Sequence, residues 1–362
     1  MPRGTKHLTD GDRQRVRTLY FDAKLSPAEI ERITGFTLGQ IKRSRENVHV
    51  GKRTGRPKLT SPVDDGKEAT RAKFKSIRRP TTPETPVLPP GNPLVNPVDP
   101  AKTIVLITGS NRGIGLEVVK ALLRASPAEE DSPSGGPYHV FLCSRDWARG
   151  ETAASSLVAE HENSLSVLPL DVTRAESIKW VAQTVDSIAG RVDILINNAA
   201  VMRYHHGDVA VPTLREALET NLVSAYAISE TFKSLLMVQL PACKKDKRLL
   251  HVTCDLGSIA NRSDPADKSY PITAPEYRIS KAGLNMMAAC QRFDLQGSGV
   301  KVAVYNAGYT ATDLAGLDPA MKKSHGARDA AVVAEAFVKV IEGQRDEEFG
   351  QMLDTLEGTV PW

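Results

Sequence analysis

The sequence predicts an α/β fold in which helices cover both faces of a mostly parallel sheet. From residue 102 onward, short apolar strand patterns alternate with helical patterns over about 260 residues, as is typical of this fold. A glycine-rich turn joins the first of these strands to the first helix. We therefore expect a doubly wound parallel sheet at residues 101–362, with a binding site where the strands end.

The strand signals are short runs of apolar and β-branched residues. They lie at Thr103–Thr108, His139–Cys143, Ser166–Leu170, Asp193–Asn197, Leu249–Thr253 and Val300–Tyr305, and Leu116–Arg124 is the first predicted helix of this region. Pro127–Pro137 is rich in acidic, Ser and Gly residues, which predicts a surface insertion between that helix and the second strand.

The composition excludes several classes of protein. With 41% hydrophobic and 25% charged residues, the chain is typical of globular domains. No apolar run approaches the ~18 residues of a membrane-spanning helix, so we expect no membrane association. The four cysteines (Cys143, Cys243, Cys254 and Cys290) form no C-x-x-C pair. We therefore expect neither disulfides nor a metal site, and a reducing, cytoplasmic location fits best.

The N-terminal region differs from the rest in charge and pattern. Residues 1–100 carry 20 Lys and Arg against 11 Asp and Glu, whereas the remainder carries 27 against 32. Capping boxes at Ser26–Glu29 and Thr37–Gln40 predict two short helices around a glycine turn, the outline of a helix-turn-helix within residues 1–58. Residues 59–100 are proline-rich and predict a disordered linker.

This basic segment resembles the N-terminal DNA-binding segment of fungal transposases, which implies nucleic-acid contact by residues 1–58. Two other interpretations stay open: a solvated basic appendage, or a misjoined exon. All three interpretations of the N-terminal segment predict the same fold: a Rossmann-type α/β domain with a small, helical, basic N-terminal appendage.

The turn after the first strand has the spacing G-x-x-x-G-x-G. Glycine is needed where the chain turns tightly, where backbone amides approach a pyrophosphate, and where the helix packs close to the sheet. The N-terminus of the following helix offers unpaired N–H groups to phosphates. The predicted dinucleotide contacts are Gly109, Asn111, Arg112, Gly113, Ile114 and Gly115.

Further landmarks follow along the chain. They are Asp171-Val172, Asn197-Asn198-Ala199-Ala200, Asn221 and the Y-x-x-S-K signature Tyr277-Arg278-Ile279-Ser280-Lys281. Together with the glycine turn, they resemble the short-chain dehydrogenase/reductase family in order and interval. Arg145–Gly150 and the final Pro361-Trp362 resemble its carbonyl-reductase-like branch.

The resemblance implies a catalytic role for Tyr277, Lys281 and Asn221. A free tyrosine has a pKa near ~10, too high for a good base at neutral pH. A lysine four residues further along a helix lies on the same face, and its charge favours the phenolate. Asn221 would hold a water in the proton relay. The family also implies cofactor contacts from Asp171, Val172, Asn198, Tyr277, Lys281, Thr310 and Thr312.

The position of the catalytic serine has two interpretations. Where the family has N-V-S-S-x-L-G-S, direct alignment places Cys254 at the catalytic serine, with a poor S–H donor. Alternatively, the long segment before Tyr277 brings Ser258 into the site. We select Ser258 as the predicted catalytic residue, and both interpretations stay open.

The residues after the second strand predict the choice of cofactor. Family members that prefer NAD usually carry an acidic residue there, whereas this chain has Ser144-Arg145. Arg145 and Arg112 would clasp a 2′-phosphate, which favours NADP(H). The predicted function is hydride transfer between NADP(H) and a small-molecule carbonyl or secondary alcohol. The alternative is a weak or silent homologue acting as an NADP(H)-sensing, DNA-associated regulator, and a homo-oligomer stays open in both cases.

Overall fold

The computed structural model describes residues 26–34, 36–38, 41–42, 97–126, 135–203, 211–239, 245–356 and 358–362. The chain divides into two compact units, Met1–Arg78 and Arg79–Trp362. Several predictions lie outside the described residues: most of the 1–58 segment, the linker up to residue 96, and the insertion at residues 127–134.

In the first unit, helix α1 (Pro27–Thr34) begins with the predicted capping box. The Glu29 carboxylate accepts hydrogen bonds from the Ser26 backbone amide at 2.8 Å and from its hydroxyl at 2.6 Å. Ile30 of this helix is buried. Gly39 and Gln40 of the second capping box lie outside the described residues, so the helix-turn-helix and its nucleic-acid contact stay predictions.

The second unit is built on one eight-stranded sheet. Its strands are β1 (Thr103–Ile107), β2 (Tyr138–Ser144), β3 (Ser164–Pro169), β4 (Ile194–Asn197), β5 (Lys247–Thr253), β6 (Val300–Asn306), β7 (Met352–Asp354) and β8 (Thr359–Val360). The order is β3-β2-β1-β4-β5-β6-β7-β8, and every pair is parallel except β7–β8. The predicted doubly wound Rossmann-type sheet is confirmed.

Helices cover both faces of this sheet. They are α2 (Gly113–Arg124), α3 (Trp147–Ser155), α4 (Ala175–Ala189), α5 (Val211–Leu218), α6 (Ser224–Leu236), α7 (Ile259–Ser263), α8 (Pro275–Asp294), α9 (Pro319–Ser324) and α10 (Ala330–Ile341). One apolar cluster joins the sheet to α4, α6 and α8, and a second joins it to α2 and α10. The parallel strands are accordingly apolar on both faces. Within the described part of the chain, no helix is long and apolar enough to cross a membrane.

A buried polar cluster lies between β5 and helices α6 and α8. The Asn197 amide donates to Ser229 Oγ at 3.1 Å and lies 3.3 Å from His251 Nδ1. His251 Nε2 lies 2.9 Å from Gln291 Oε1. A neutral imidazole that carries its proton on Nε2 satisfies both of its contacts. Burial lowers the pKa of His251 to about 4 despite the Gln291 contact.

This buried histidine predicts acid sensitivity. Between pH 6.5 and about 4 the unfolded chain binds a proton that folded His251 does not, so stability is lost as the pH falls through this window. We expect protonation of His251 in the unfolded chain to lower the free energy of unfolding by about 2 kcal/mol at pH 5 relative to pH 7.5. Urea unfolding at both pH values measures this loss, and His251→Gln should reduce it. An identical loss in the wild type and the variant would contradict the prediction.

Candidate active site

The glycine turn lies at the carboxyl end of β1, beside the point where the strand order reverses. Gly109 and Gly113 have φ of +62° and +57°, the left-handed region that favours glycine. A Cβ on Gly115 would lie 2.5 Å from Asn198 Nδ2, and one on Gly109 would lie 2.9 Å from Ala199 Cα. Since α2 begins inside this turn, its first amides have no helical acceptors. The turn therefore fits the pyrophosphate of a dinucleotide.

The loop after β4 is hydrogen-bonded to this turn. Thr108 Oγ1 accepts from the amides of Asn198 and Ala199, each at 3.0 Å. The Asn198 side chain donates to the carbonyls of Thr108 at 2.9 Å and Gly109 at 3.1 Å. Asn198, predicted as a cofactor contact, thus stabilises the backbone of the cofactor turn with its side-chain amide.

The other predicted cofactor residues lie at the same edge of the sheet. Asp171 and Val172 follow β3, and the Asp171 carboxylate accepts from the Thr173 hydroxyl at 2.7 Å. Thr310 and Thr312 follow β6, and both are buried. The carboxyl ends of these parallel strands therefore bring together residues that are far apart in sequence.

The two arginines expected at a 2′-phosphate have different surroundings. Arg145 is exposed directly after β2. The Arg112 guanidinium instead forms an ion pair with the Asp313 carboxylate, in the loop after β6. These side chains are 58% and 46% exposed. The sequence reading did not single out Asp313, although it directly follows Thr312.

Tyr277 and Lys281 lie on consecutive turns of α8, which begins with Pro275. Tyr277 is only 6% exposed, and Lys281 Nζ lies 5.6 Å from the centroid of its ring. The same ammonium donates to the Val252 carbonyl at 2.9 Å. Burial lowers the pKa of Lys281 to about 8. A buried cation therefore stands beside the phenol.

Asn221 lies in a π-helical turn, Glu219–Val223, between α5 and α6. Its side chain accepts from the Val201 amide at 2.8 Å and donates to the Val201 carbonyl at 2.9 Å. It also donates to Ser280 Oγ at 2.9 Å, and Ser280 donates to the Tyr277 carbonyl at 2.8 Å. Ser280 therefore links Asn221 to the turn that carries the tyrosine. Although the Y-x-x-S-K signature contains Ser280, the sequence reading gave it no role.

The two candidates for the serine position differ in their contacts. Ser258 Oγ accepts from the Asn261 amide at 3.0 Å and so caps α7. Cys254 belongs to the same buried apolar cluster as Tyr277. Its thiol lies 3.4 Å from Asp255 Oδ1, to which it donates. Burial, reinforced by Asp255, raises the pKa of Cys254 to about 12, so the thiol stays protonated at neutral pH.

Arg278, inside the signature, fixes the segment that precedes α8. This buried guanidinium donates to the carbonyl of Ile272 at 3.2 Å and to that of Ser269. A third bond reaches the Leu256 carbonyl at 3.2 Å, in the loop after β5. Arg278 thereby anchors one side of the site, a function that the sequence reading missed.

The sequence matches the short chain dehydrogenase family model over residues 103–323. A short-chain dehydrogenase/reductase of a Phoma species, eupG, is 33% identical over 291 residues, covering 72% of this chain and 98% of the relative. Another, tropE of Talaromyces stipitatus, is 29% identical over 266 residues, covering 70% of this chain and 95% of the relative.

Among solved structures, the NADPH-bound carbonyl reductase from chicken fatty liver superposes with a TM-score of 0.59 at 25% identity. The match covers 72% of this chain and 99% of that reductase. The family match, residues 103–323, falls within the part of the chain that folds into the parallel sheet and its helices. The chain therefore belongs to the short-chain dehydrogenase family of oxidoreductases, whose fold binds a nicotinamide cofactor.

Proposed function

We propose that residues 101–362 form an NADP(H)-dependent oxidoreductase that interconverts a small-molecule carbonyl and a secondary alcohol. The observation that carries this proposal is the buried pair Tyr277 and Lys281, with Nζ 5.6 Å from the ring centroid, at the sheet edge that holds the glycine turn. When bound there, NADPH would supply the hydride for the carbonyl carbon.

Side chains of the protein donate the proton that the reduction requires. During reduction, Tyr277 donates its phenolic proton to the carbonyl oxygen, which becomes the alcohol hydroxyl. The Lys281 ammonium stabilises the resulting phenolate by its charge. Asn221 keeps the geometry fixed through Ser280 and, as in the family, serves the relay that returns a proton to Tyr277.

The cofactor contacts extend along the carboxyl ends of the strands. We propose that they are Gly109, Asn111, Arg112, Gly113, Ile114, Gly115, Arg145, Asp171, Val172, Asn198, Tyr277, Lys281, Thr310 and Thr312. The exposed Arg145 guanidinium after β2 supports a preference for the 2′-phosphate of NADP(H). The NADPH bound by the chicken carbonyl reductase supports the same preference.

Arg145→Ala is expected to weaken NADPH binding by about tenfold or more, because a charge-assisted bond to the 2′-phosphate is lost. NADH lacks this phosphate, so its affinity should change by less than about twofold. Fluorescence titration measures both dissociation constants. Arg124→Ala is the matched control, since Arg124 is an exposed arginine at the carboxyl end of α2, whereas the glycine turn lies at the start of that helix. Equal weakening of both cofactors by Arg145→Ala would contradict the assignment.

We propose that Cys254, rather than Ser258, adjoins the substrate carbonyl. Cys254→Ser is then expected to raise kcat by about tenfold, since a hydroxyl polarises the carbonyl better than a thiol. Ser258→Ala should lower the unfolding free energy by about 1 kcal/mol through loss of its cap, with kcat little changed. Steady-state kinetics and urea unfolding of both variants test this assignment. Loss of activity in Ser258→Ala alone would reverse it.

The N-terminal region lies outside the family match and contributes none of the proposed catalytic or cofactor residues. The family match begins at residue 103, and the Phoma relative is 98% covered by 72% of this chain. We propose that residues 1–58 form a basic segment and residues 59–100 a linker, within a protein of a reducing, cytoplasmic environment. Salt-dependent DNA binding by the full chain would support the regulator alternative.

Consumption of NADPH with a panel of aldehydes, ketones and quinones tests the proposed function directly. Turnover of at least one carbonyl, with stoichiometric formation of the alcohol, is the expected result. Cofactor binding without turnover on any member of the panel would reject the enzyme and favour the NADP(H)-sensing alternative.

A further inference from the structure

The cofactor turn, which follows β1, contacts the loop that follows β6. The Arg112 guanidinium of the turn after β1 pairs with the Asp313 carboxylate of the loop after β6. Next to this pair, a Cβ on Gly113 would lie 3.4 Å from the Thr312 methyl, which is ordinary van der Waals distance. The ion pair is therefore the polar part of a wider contact between the two loops.

Asp313 is also the first anchor of a short segment, Leu314–Gly316, which we call the cover. Leu314 and Ala315 pack against the buried cluster that contains Cys254 and Tyr277. Ala315 has φ of +67°, a left-handed conformation that is strained for a residue with a Cβ. Such a conformation persists only where surrounding contacts hold it.

The second anchor of the cover lies on α9. Buried Lys322 donates from Nζ to the Leu314 carbonyl at 2.7 Å. Lys322 holds the cover against α9, the helix that follows it in sequence, whereas Asp313 holds the cover to the cofactor turn. Of these two anchors, only the ion pair joins the cofactor side of the site to the substrate side.

We infer that Asp313 is a positioning residue that couples the cofactor turn to the cover over Tyr277. This inference rests on the proposed function. Through Arg112, the turn that holds the pyrophosphate also holds Leu314 and Ala315 against the catalytic cluster. Arg112, proposed above as a cofactor contact, acts in this arrangement by holding Asp313, and recognition of the 2′-phosphate falls to Arg145.

Asp313→Asn tests the coupling. We expect the KM for a reducible carbonyl to rise about three- to fivefold at low ionic strength, the scale of an exposed ion pair, with kcat little changed. The rate constant for NADPH dissociation, measured by stopped-flow fluorescence without substrate, should rise by a similar factor. Both effects should shrink at high salt, where exposed charges are screened. Asp313→Glu, which keeps the charge, should restore most of the wild-type behaviour.

Arg112→Gln separates this role from 2′-phosphate binding. Coupling through Asp313 predicts equal effects on NADPH and NADH, and no further effect when Arg112→Gln is combined with Asp313→Asn. Lys301→Gln is the control, because it breaks another part-exposed ion pair, with Asp246 and Asp346, at the amino end of β6 and so at the opposite edge of the sheet.

Two outcomes would overturn the inference: an unchanged KM and dissociation rate in Asp313→Asn, or a loss confined to NADPH in Arg112→Gln. Failure of the proposed function gives a different result. The wild type would then turn over no carbonyl, while the NADPH dissociation rate still reports whether the ion pair holds the turn.

Discussion

Tyr277→Phe is expected to lower kcat for carbonyl reduction by about a thousandfold while changing NADPH affinity by less than about twofold. The substitution removes only the phenolic oxygen and keeps the ring in its buried cluster. Without a proton donor, the developing alkoxide must be protonated by water, so the loss belongs to the chemical step. Steady-state NADPH oxidation gives kcat, and fluorescence titration gives the dissociation constant of the cofactor.

Tyr226→Phe is the matched control for this experiment. Tyr226 lies on α6 with 52% of its surface exposed, so loss of its hydroxyl should leave both quantities unchanged. If Tyr277→Phe kept more than about a tenth of the wild-type kcat, the proton donor would have to be another group.

Lys281→Met is expected to lower kcat by at least about a hundredfold and yet to stabilise the fold. Burial lowers the pKa of Lys281 from 10.5 to about 8, so near pH 7 the folded protein carries a buried charge at a cost. The difference between these two pKa values corresponds to about 3 kcal/mol. The substitution also removes the hydrogen bond to the Val252 carbonyl, which reduces this gain in stability by about 1 kcal/mol. We therefore expect a gain of about 2 kcal/mol in unfolding free energy.

The pH dependence checks the cause of this gain. Because the pKa of folded Lys281 is below the unfolded value, the wild type should gain stability as the pH rises from about 8 to 10.5. The methionine variant should lack this rise. Lys339→Met, at an exposed lysine on α10, is the control for the loss of a positive charge. A variant at Lys281 that is less stable than the wild type at pH 7 would contradict the argument.

Most of the sheet could be predicted from the sequence because parallel strands buried on both faces are continuous apolar runs. The predicted ends of β2 and β5 lie within a few residues of the observed ends. The last strands, Met352–Asp354 and Thr359–Val360, were not predicted. With three and two residues, they are too short to show a period, and their pairing with β6 and with each other defines them.

The candidate site was predictable where spacing alone determines geometry. Four residues along a helix place Tyr277 and Lys281 on one face, and this needs no tertiary information. By contrast, the pair between Arg112 and Asp313 joins loops 201 residues apart, so it depends on how the sheet orders its strands. The capping bond of Ser258 likewise depends on backbone geometry that a serine in a sequence does not reveal.

The π-helical turn at Glu219–Val223 has a consequence for alignment and engineering. The Ser224 amide reaches back five residues to the Glu219 carbonyl, so this turn holds one residue more than an α-helix would. Deleting a single residue here would restore regular winding and rotate one flank of the helix by about 100° relative to the other. Asn221 would then swing away from Ser280, and the enzyme would lose that contact although Tyr277 and Lys281 were intact. A relative whose alignment has a gap at this turn is therefore expected to lack the contact between Asn221 and Ser280.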